Sequence, residues 1–252
     1  MQQTPTISII TPVLDAKDLL EQVIETVRRQ TYKNKQHIII DGGSTDGTLE
    51  TLKRNEGKIK YWISEKDSGI YDAMNKGINV ADGEWLYFLG VDDAFYRDDT
   101  LDSIFEHQAI PLDVTLILGN VLAPNRKLIK SRYGKSLYFK NTIHHQGAFY
   151  RRNVFERFRY GFYGSRMKNR QLSISGDYQL NFALFRQGTR CMQTNTIIAR
   201  CGYGRSMEGK IEGYLEEILV RHQHISFFWA IPFDVLTVLR YLGKRFMKIL
   251  KE

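Results

Sequence analysis

The chain predicts an α/β fold built on a mainly parallel, doubly wound sheet. Two observations carry that expectation: strand and helix patterns alternate through the first hundred residues, and polar side chains stand where successive strands run out. "TISIITPV" (6–13) is a β-branched run. Residues 18–29 then set Leu19, Leu20, Val23, Ile24 and Val27 on one helical stripe. "HIIID" (37–41) is a second strand, followed by the turn "GGSTDGT", in which Asp46 is placed as a helix N-cap, and by a short helix carrying Leu49 and Leu52 inward. "IKYWISE" (59–65) supplies a third strand. "IYDAMNKGINVADG" (70–83) reads as a helix with Tyr71, Met74 and Ile78 on one face and Gly83 past its end. "EWLYFLGVDD" (84–93) is a fourth strand that ends on two adjacent carboxylates.

The second half is less regular. Strands are expected in "VTLILGNVL" (114–122), "HHQGAFYRRNVF" (144–155) and "NTIIARCGY" (195–203), a helix over 175–188, and a loop over 156–172. The expected organisation is a domain over 1–212, with a ligand-binding half at 1–100 and a second half at 101–212, and a helical tail over 213–252.

The composition is that of a globular protein of 252 residues, 42% hydrophobic and 25% charged. The net charge of +8 is unevenly spread: residues 1–100 carry 12 Lys+Arg against 17 Asp+Glu, and residues 101–252 carry 24 against 11. A basic second half suits an anionic partner or an ordinary solvated surface. Cys191 and Cys201 form neither a disulfide framework nor a metal-ligand spacing, which suits a reducing compartment. The N-terminus lacks the pattern of a signal peptide, so a cytoplasmic location is expected.

In parallel α/β sheets ligands bind outside the carboxyl ends of the strands. Thr11-Pro12, Asp41 and Asp92-Asp93 all fall at such ends. Paired carboxylates suit a hard divalent cation such as Mg²⁺ or Mn²⁺ that also holds a diphosphate, or else a solvated acidic turn. Asp41 closes its strand where a carboxylate could accept hydrogen bonds from a nucleobase, unless turn chemistry accounts for it. Asp72 and Lys76 form either a phosphate-neutralising pair or an ordinary i,i+4 pair. Asp177 lies in the first turn of a helix, where the dipole favours the ionised form, and could take a proton from an attacking hydroxyl or merely suit the helix end. His145 is either a substrate ligand or a structural histidine.

"ISIITPVLDAKDLLEQVIETVRRQTY", "IIIDGGSTDGT", "DSGIYDAMNKGINVADGEWLYFLGVDD", "HHQGAFYRRNVF" and "ISGDYQLNFAL" together resemble bacterial family 2 glycosyltransferases of the GT-A fold. The similarity is greatest to the subgroup that builds capsules, exopolysaccharides and O-antigens, and "DGGSTDGT" and "GIYDAMNKGI" are its most specific stretches. The resemblance implies a Rossmann-like GT-A sheet and inverting transfer from a nucleotide-diphosphate sugar, UDP-sugars favoured. It places Thr11, Pro12, Asp41, Asp72 and Lys76 at the donor nucleotide, Asp92 at ribose and metal, Asp93 at the Mn²⁺ or Mg²⁺, His145 near donor sugar or acceptor, and Asp177 as base. The family often has Asp or Asn two positions before the carboxylate pair, where this chain has Gly90. Asp15 fills the place of an early polar loop residue in "LDAKD".

The tail sets Val235, Leu239, Leu242, Phe246, Ile249 and Leu250 on one stripe, with Arg240, Lys244, Lys248 and Lys251 opposite. A basic amphipathic helix beside Trp229 suits an anionic membrane surface, and otherwise packs on its own domain or on a second copy of the chain. With the resemblance, this implies a lipid-linked saccharide acceptor and a peripheral place on the inner face of the bacterial cytoplasmic membrane. Two rival functions are a nucleotide-sugar nucleotidyltransferase, whose phosphate loop "TPVLDA" does not supply, and a basic nucleic-acid-binding module, whose motifs are missing. No nucleic-acid partner is expected.

Overall fold

The computed structural model describes residues 4–161, 172–202 and 211–249. Its chain falls into two compact units. The first (1–131, 144–159 and 190–204) carries the whole sheet. The second (132–143, 160–189 and 205–252) is helical where it is regular. This grouping differs from the expected boundary at residue 212, because the helix bearing Asp177 packs with the C-terminal helices.

In the first unit, β1 (Ile7–Val13), β2 (Lys35–Asp41), β3 (Tyr61–Ser64) and β4 (Trp85–Phe88) run parallel in the order β3-β2-β1-β4. Every residue of β1 and β4 is buried. That explains their near-continuous apolar runs, since a parallel strand covered on both faces has no solvent side to alternate with. The intervening helices are α1 (Lys17–Arg29), α2 (Thr48–Arg54) and α3 (Ile70–Val80). α1 buries Leu20, Val23, Ile24 and Val27, the stripe expected of it. Because β1 has β2 on one side and β4 on the other, chain order reverses between β1 and β4, and this is a ligand-binding switch point of α/β sheets.

Beyond β4 the sheet becomes mixed. β5 (Ala94–Phe95), a short helix α4 (Thr100–Phe105), β6 (Leu116–Leu122), β7 (Leu128–Lys130), β8 (Ala148–Arg151) and β9 (Cys191–Arg200) complete it. β8 lies antiparallel to both β4 and β6, while β9 runs parallel to β6 across an irregularity between Leu118 and Val121. Two expectations need correction here. The strand foreseen over 144–155 is confined to β8, flanked by 3-10 turns at His145–Gly147 and Arg152–Glu156. The strand foreseen over 195–203 begins four residues earlier, at Cys191, runs through the polar stretch Gln193–Asn195, and ends at Arg200. The loop expected over 156–172 lies largely outside the described residues.

The second unit contains α5 (Gly176–Arg186), α6 (Ile211–His224) and α7 (Phe227–Ile249). Pro232 sits inside α7, near its start, and does not end it. Arg221 of α6 is fully buried; its Nε donates to Asp234 Oδ1 at 2.9 Å and its Nη2 to Thr237 Oγ1 at 2.7 Å, both on α7. Its Nη1 donates to the carbonyls of Tyr138 and Phe139 at 3.0 and 3.3 Å. Asp234, which on the wheel interrupts the apolar run of the tail, is therefore the inward partner of a buried guanidinium. The helical tail is thus packed on the unit through these polar residues and through Phe233, whose ring lies 5.6 Å from Tyr138 and 5.0 Å from Phe139. Its apolar residues Phe228, Trp229, Leu239, Leu242 and Phe246 are 82, 76, 58, 53 and 62% exposed.

Candidate active site

The parallel registers bring the strand ends to one edge: Val13 pairs with Asp41, and Asp41 with Ser64. Thr11 and Pro12 are buried in the last turns of β1. Thr11 Oγ1 is bonded to His37 Nε2 at 2.9 Å. Burial drives the His37 pKa down to about 3, so this pair stays uncharged beneath the edge.

Asp41 is fully buried. Its Oδ2 accepts from the Gly43 and Ser44 N–H groups at 3.3 and 3.1 Å and from Ser64 Oγ at 2.6 Å, and its Oδ1 accepts from Ser44 Oγ. The geometry gives Asp41 an internal office: it shapes the turn 42–44 and ties it to β3. At the following residue the lack of a side chain matters, since a Cβ on Gly42 would lie 2.6 Å from Asp67 Oδ2. Asp67, which the sequence did not single out, thereby brings a carboxylate against the backbone of this edge.

Asp46 is not the N-cap of α2, whose cap position is Gly47. It accepts instead from Thr48 N and Oγ1 at 3.0 and 2.6 Å and from Lys17 N at 3.0 Å, joining the starts of α1 and α2. These bonds, that from Thr48 foremost, hold its pKa down at about 2. Asp15 takes part in the same loop pair: its N–H donates to Ser44 Oγ at 2.7 Å and its Oδ1 accepts from Thr45 N at 2.9 Å. On α3, Asp72 Oδ2 accepts from Ser68 N at 2.9 Å. Lys76 lies closer to Glu65, at 2.9 Å, than to Asp72, at 3.9 Å.

After β4 the chain turns through Gly90. Asp93 is 5% exposed, accepting from Gly90 N at 3.1 Å through Oδ2 and from Gly202 N at 3.0 Å through Oδ1, with a further bond from the Gln146 side chain. Burial, joined by the charge of Asp92, raises its pKa against the lowering effect of these bonds. Asp92 is partly exposed. Gly202 lies so close that a Cβ there would come within 2.7 Å of Asp92 Cβ, and nearer still to its carbonyl and carboxylate oxygens. Only a residue without a side chain fits under the pair, a requirement set by a contact 109 residues along the chain. As a metal site the pair offers hard carboxylate oxygens, which suit Mg²⁺ or Mn²⁺. Asp92 presents the more accessible group, while the two Asp93 oxygens already accept three donors between them. Among the described residues no cluster of three or more His, Cys, Asp or Glu could hold a cation. The pair fits a cation whose remaining ligands are phosphate oxygens and water, the usual arrangement for Mg²⁺.

His145 packs its ring on Phe88 and Tyr150, with centroids 4.9 and 6.1 Å away. Burial, helped by His144, lowers its pKa to about 4, which makes it a neutral imidazole near pH 7.

In the second unit, Asp177 occupies the first turn of α5. Its Oδ2 accepts from Asn141 Nδ2 at 2.8 Å and its Oδ1 from Tyr178 N at 2.8 Å. Enclosure by the protein, supplemented by the charge of Glu217, pushes its pKa up to about 6, against the lowering effect of both bonds. The dipole of an eleven-residue helix was expected to favour the charged form; desolvation outweighs it. The result is a carboxylate more basic than an exposed aspartate and still ionised at neutral pH.

The family described as Glycosyl transferase family 2 matches residues 8–188. A "PGL/p-HBAD biosynthesis glycosyltransferase" of Mycobacterium bovis is 37% identical over 163 residues, 60% of this chain and 61% of that protein. The chain therefore spans about three fifths of that relative's length. A Methanococcus voltae protein named as a dolichyl N-acetyl-alpha-D-glucosaminyl phosphate 3-beta-D-2,3-diacetamido-2,3-dideoxy-beta-D-glucuronosyltransferase is 26% identical, over 92% of this chain and 79% of its own. Among solved structures, S. aureus TarS 1–349 in complex with UDP-GlcNAc superposes with a TM-score of 0.69 at 14% identity, covering 94% of this chain and 73% of that one. Glucosyl-3-phosphoglycerate synthase from Mycobacterium tuberculosis, solved with Mn²⁺ and UDP, gives 0.55 at 13%, covering 95% and 80%. At these identities the structural likeness establishes the α/β, Rossmann-like fold alone.

Proposed function

The chain belongs to glycosyl transferase family 2, and from that premise we propose that it is an inverting glycosyltransferase with an Asp177 base. It moves a sugar from a nucleotide-diphosphate donor, UDP-sugars favoured, to a hydroxyl of a lipid-linked saccharide. The observation that supports the reading is the carboxylate-lined strand edge at the β1/β4 switch point of the first unit; in the second unit, taken by itself, Asp177 is an aspartate of raised basicity.

In this reading the first unit binds the donor. Thr11 and Pro12 form the floor of the nucleoside site, Asp41 builds the loop that approaches it, Asp72 and Lys76 line it, and His145 serves the donor sugar or acceptor as a neutral imidazole. Asp92 and Asp93 are the residues that would hold Mn²⁺ or Mg²⁺, whose positive charge would favour departure of the diphosphate. Asp177 takes the proton of the acceptor hydroxyl as that oxygen attacks the anomeric carbon from the face opposite the leaving group. One displacement inverts the configuration and needs no nucleophilic carboxylate, in contrast to retaining glycosidases.

The lipid-linked acceptor is supported by the Methanococcus relative's name and by the exposed aromatic and aliphatic residues of α7. Among the described residues no helix is long and apolar enough to cross a membrane. The stripe beginning with Phe228 and Trp229, together with exposed Lys244 and Arg245, suits a peripheral place on an anionic surface, the inner face of the cytoplasmic membrane.

Nucleotide release from a panel of sugar nucleotides, with a polyprenyl-linked acceptor extract, tests the reaction. Transfer is expected to stop with EDTA and return with Mn²⁺ or Mg²⁺. Thermal stabilisation by UDP with Mn²⁺, and none by short oligonucleotides, is expected; the reverse pattern would replace this reading with nucleic-acid binding.

A further inference from the structure

We propose that Asn141 is the positioning residue of the Asp177 base, holding its carboxylate in one orientation and favouring its ionised form. The inference rests on the proposed role of Asp177 and concerns only the second unit.

The Asn141 amide can face Asp177 in one sense only. Its Oδ1 accepts from Ile143 N at 3.2 Å and from Asn181 Nδ2 at 3.4 Å. With the oxygen committed to two donors, Nδ2 is the atom turned to Asp177 Oδ2, at 2.8 Å. Asp177 and Asn181 are four residues apart on α5 and share one face of it, so the Asn141 amide bridges consecutive turns of the helix. Asn181 is fully buried, which gives this bridge little room to slip.

The segment carrying Asn141 is itself pinned. Arg132 N donates to the Thr142 carbonyl at 2.9 Å, and Thr142 Oγ1 donates to the Arg132 carbonyl at 2.6 Å. Arg221 grips the carbonyls of Tyr138 and Phe139, as described above. On the other side, Glu216 of α6 accepts from the N–H groups of Ser173, Ile174 and Ser175 at 2.8, 2.9 and 2.7 Å, directly before α5. A single helix, α6, thus clamps both the loop that supplies the donor and the entry to the helix that supplies the carboxylate. The charged group facing Asp177 from α6 is Glu217, which is paired with Arg240 of α7. Against that nearby negative charge, a neutral donor is what favours the carboxylate over the acid.

The test follows the Asp177 carboxyl directly. Protein labelled with ¹³C at Asp side chains is titrated by NMR, the Asp177 signal being the one missing in Asp177→Asn. In Asn141→Ala the midpoint is expected to rise by about half to one unit. The isosteric Asn141→Asp, which swaps the donor for a second carboxylate, is expected to raise it further. Should Asn141→Ala not fold, Asn181→Ala keeps the Asn141 donor but loosens its orientation, and a smaller rise is expected. In parallel, the acid limb of the nucleotide-release rate, measured with UDP-GlcNAc and the acceptor extract, should move up by the same amount, with loss greatest at low pH and recovered near pH 8.5. A midpoint unmoved in the folded variants overturns the proposal. A uniform loss at all pH values also overturns it, marking Asn141 as merely structural. Full activity in Asp177→Asn would instead remove the base reading on which the catalytic role stands.

Discussion

Asp41 of the first unit and Asp177 of the second are held by their surroundings in different ways. In the first, Asp41 spends its oxygens on four donors from one turn and the neighbouring strand. In the second, Asp177 receives the Asn141 amide and the backbone N–H groups of Tyr178 and of its own residue, and its pKa still climbs to about 6. The difference teaches that burial alone does not assign a role. A carboxylate wrapped by donors of its own turn and the next strand organises a loop; one enclosed by the protein beside Glu217 keeps the basicity that proton transfer needs.

The sharpest way to break this contrast is to neutralise Asp177. Asp177→Asn should lower transfer by about 10²–10⁴-fold while leaving UDP-dependent thermal stabilisation intact. It should also stabilise the fold. The folded-state pKa of Asp177 lies above the ordinary 3.8, so the native chain gives up stability as pH rises from about 4 through about 6. Asparagine escapes that loss, of about 1–3 kcal/mol once ionisation is complete. Melting temperatures of variant and parent should therefore converge near pH 4.5 and separate by pH 8. A constant difference would show that burial of the charge is not the cause. On the proposed base role, transfer by the parent chain should fall roughly tenfold per pH unit below about 6, as Asp177 takes up a proton.

Next in size is Arg221→Met. Removing the guanidinium takes the donor from the carbonyls of Tyr138 and Phe139 and leaves Asp234 with His222, and a buried pair broken on one side costs about 3–5 kcal/mol. Calorimetry should find the loss concentrated in the second unit, with nucleotide binding by the first unit preserved in the folded fraction. Gly202→Ala acts on the opposite side of the comparison. The methyl group must displace the Asp92–Asp93 turn, at a cost of about 1–3 kcal/mol, and Mn²⁺-dependent stabilisation by UDP should weaken while the titration midpoint of Asp177 stays put. The smallest effect on the fold belongs to Phe228→Ser with Trp229→Ser. Both side chains are exposed, so melting should hardly change, whereas flotation with anionic vesicles should drop by roughly tenfold or more. Equal flotation would leave α7 without a membrane role.

Much of the first unit was legible in the sequence because its determinants are local. Buried parallel strands announce themselves as apolar runs, and the three polar strand ends could be located without knowing any partner. Asp177 was legible too, as an acid in a first helical turn. Its basicity was not, because that depends on enclosure and on Glu217, forty residues on. Gly202, Asn141, Glu216 and Arg221 escaped notice for the same reason: each acquires meaning only from a contact distant in sequence. The start of β9 was hidden by Gln193–Asn195, whose polar side chains suit a strand only because β6 lies alongside. Asp234 belongs with Gly202 and Asn141: its place in an apolar tail gives no hint that it pairs with the buried Arg221.

The saturated Asp41 carboxylate has a thermodynamic corollary for whatever nucleotide arrives. Because residues 42–44 are already fastened to the ends of β2 and β3, little chain freedom is left to forfeit on association. Donor capture should accordingly show a modest entropic penalty from this turn, and Ser64→Ala, which unfastens one strand, should make binding more costly in entropy while sparing the contacts themselves.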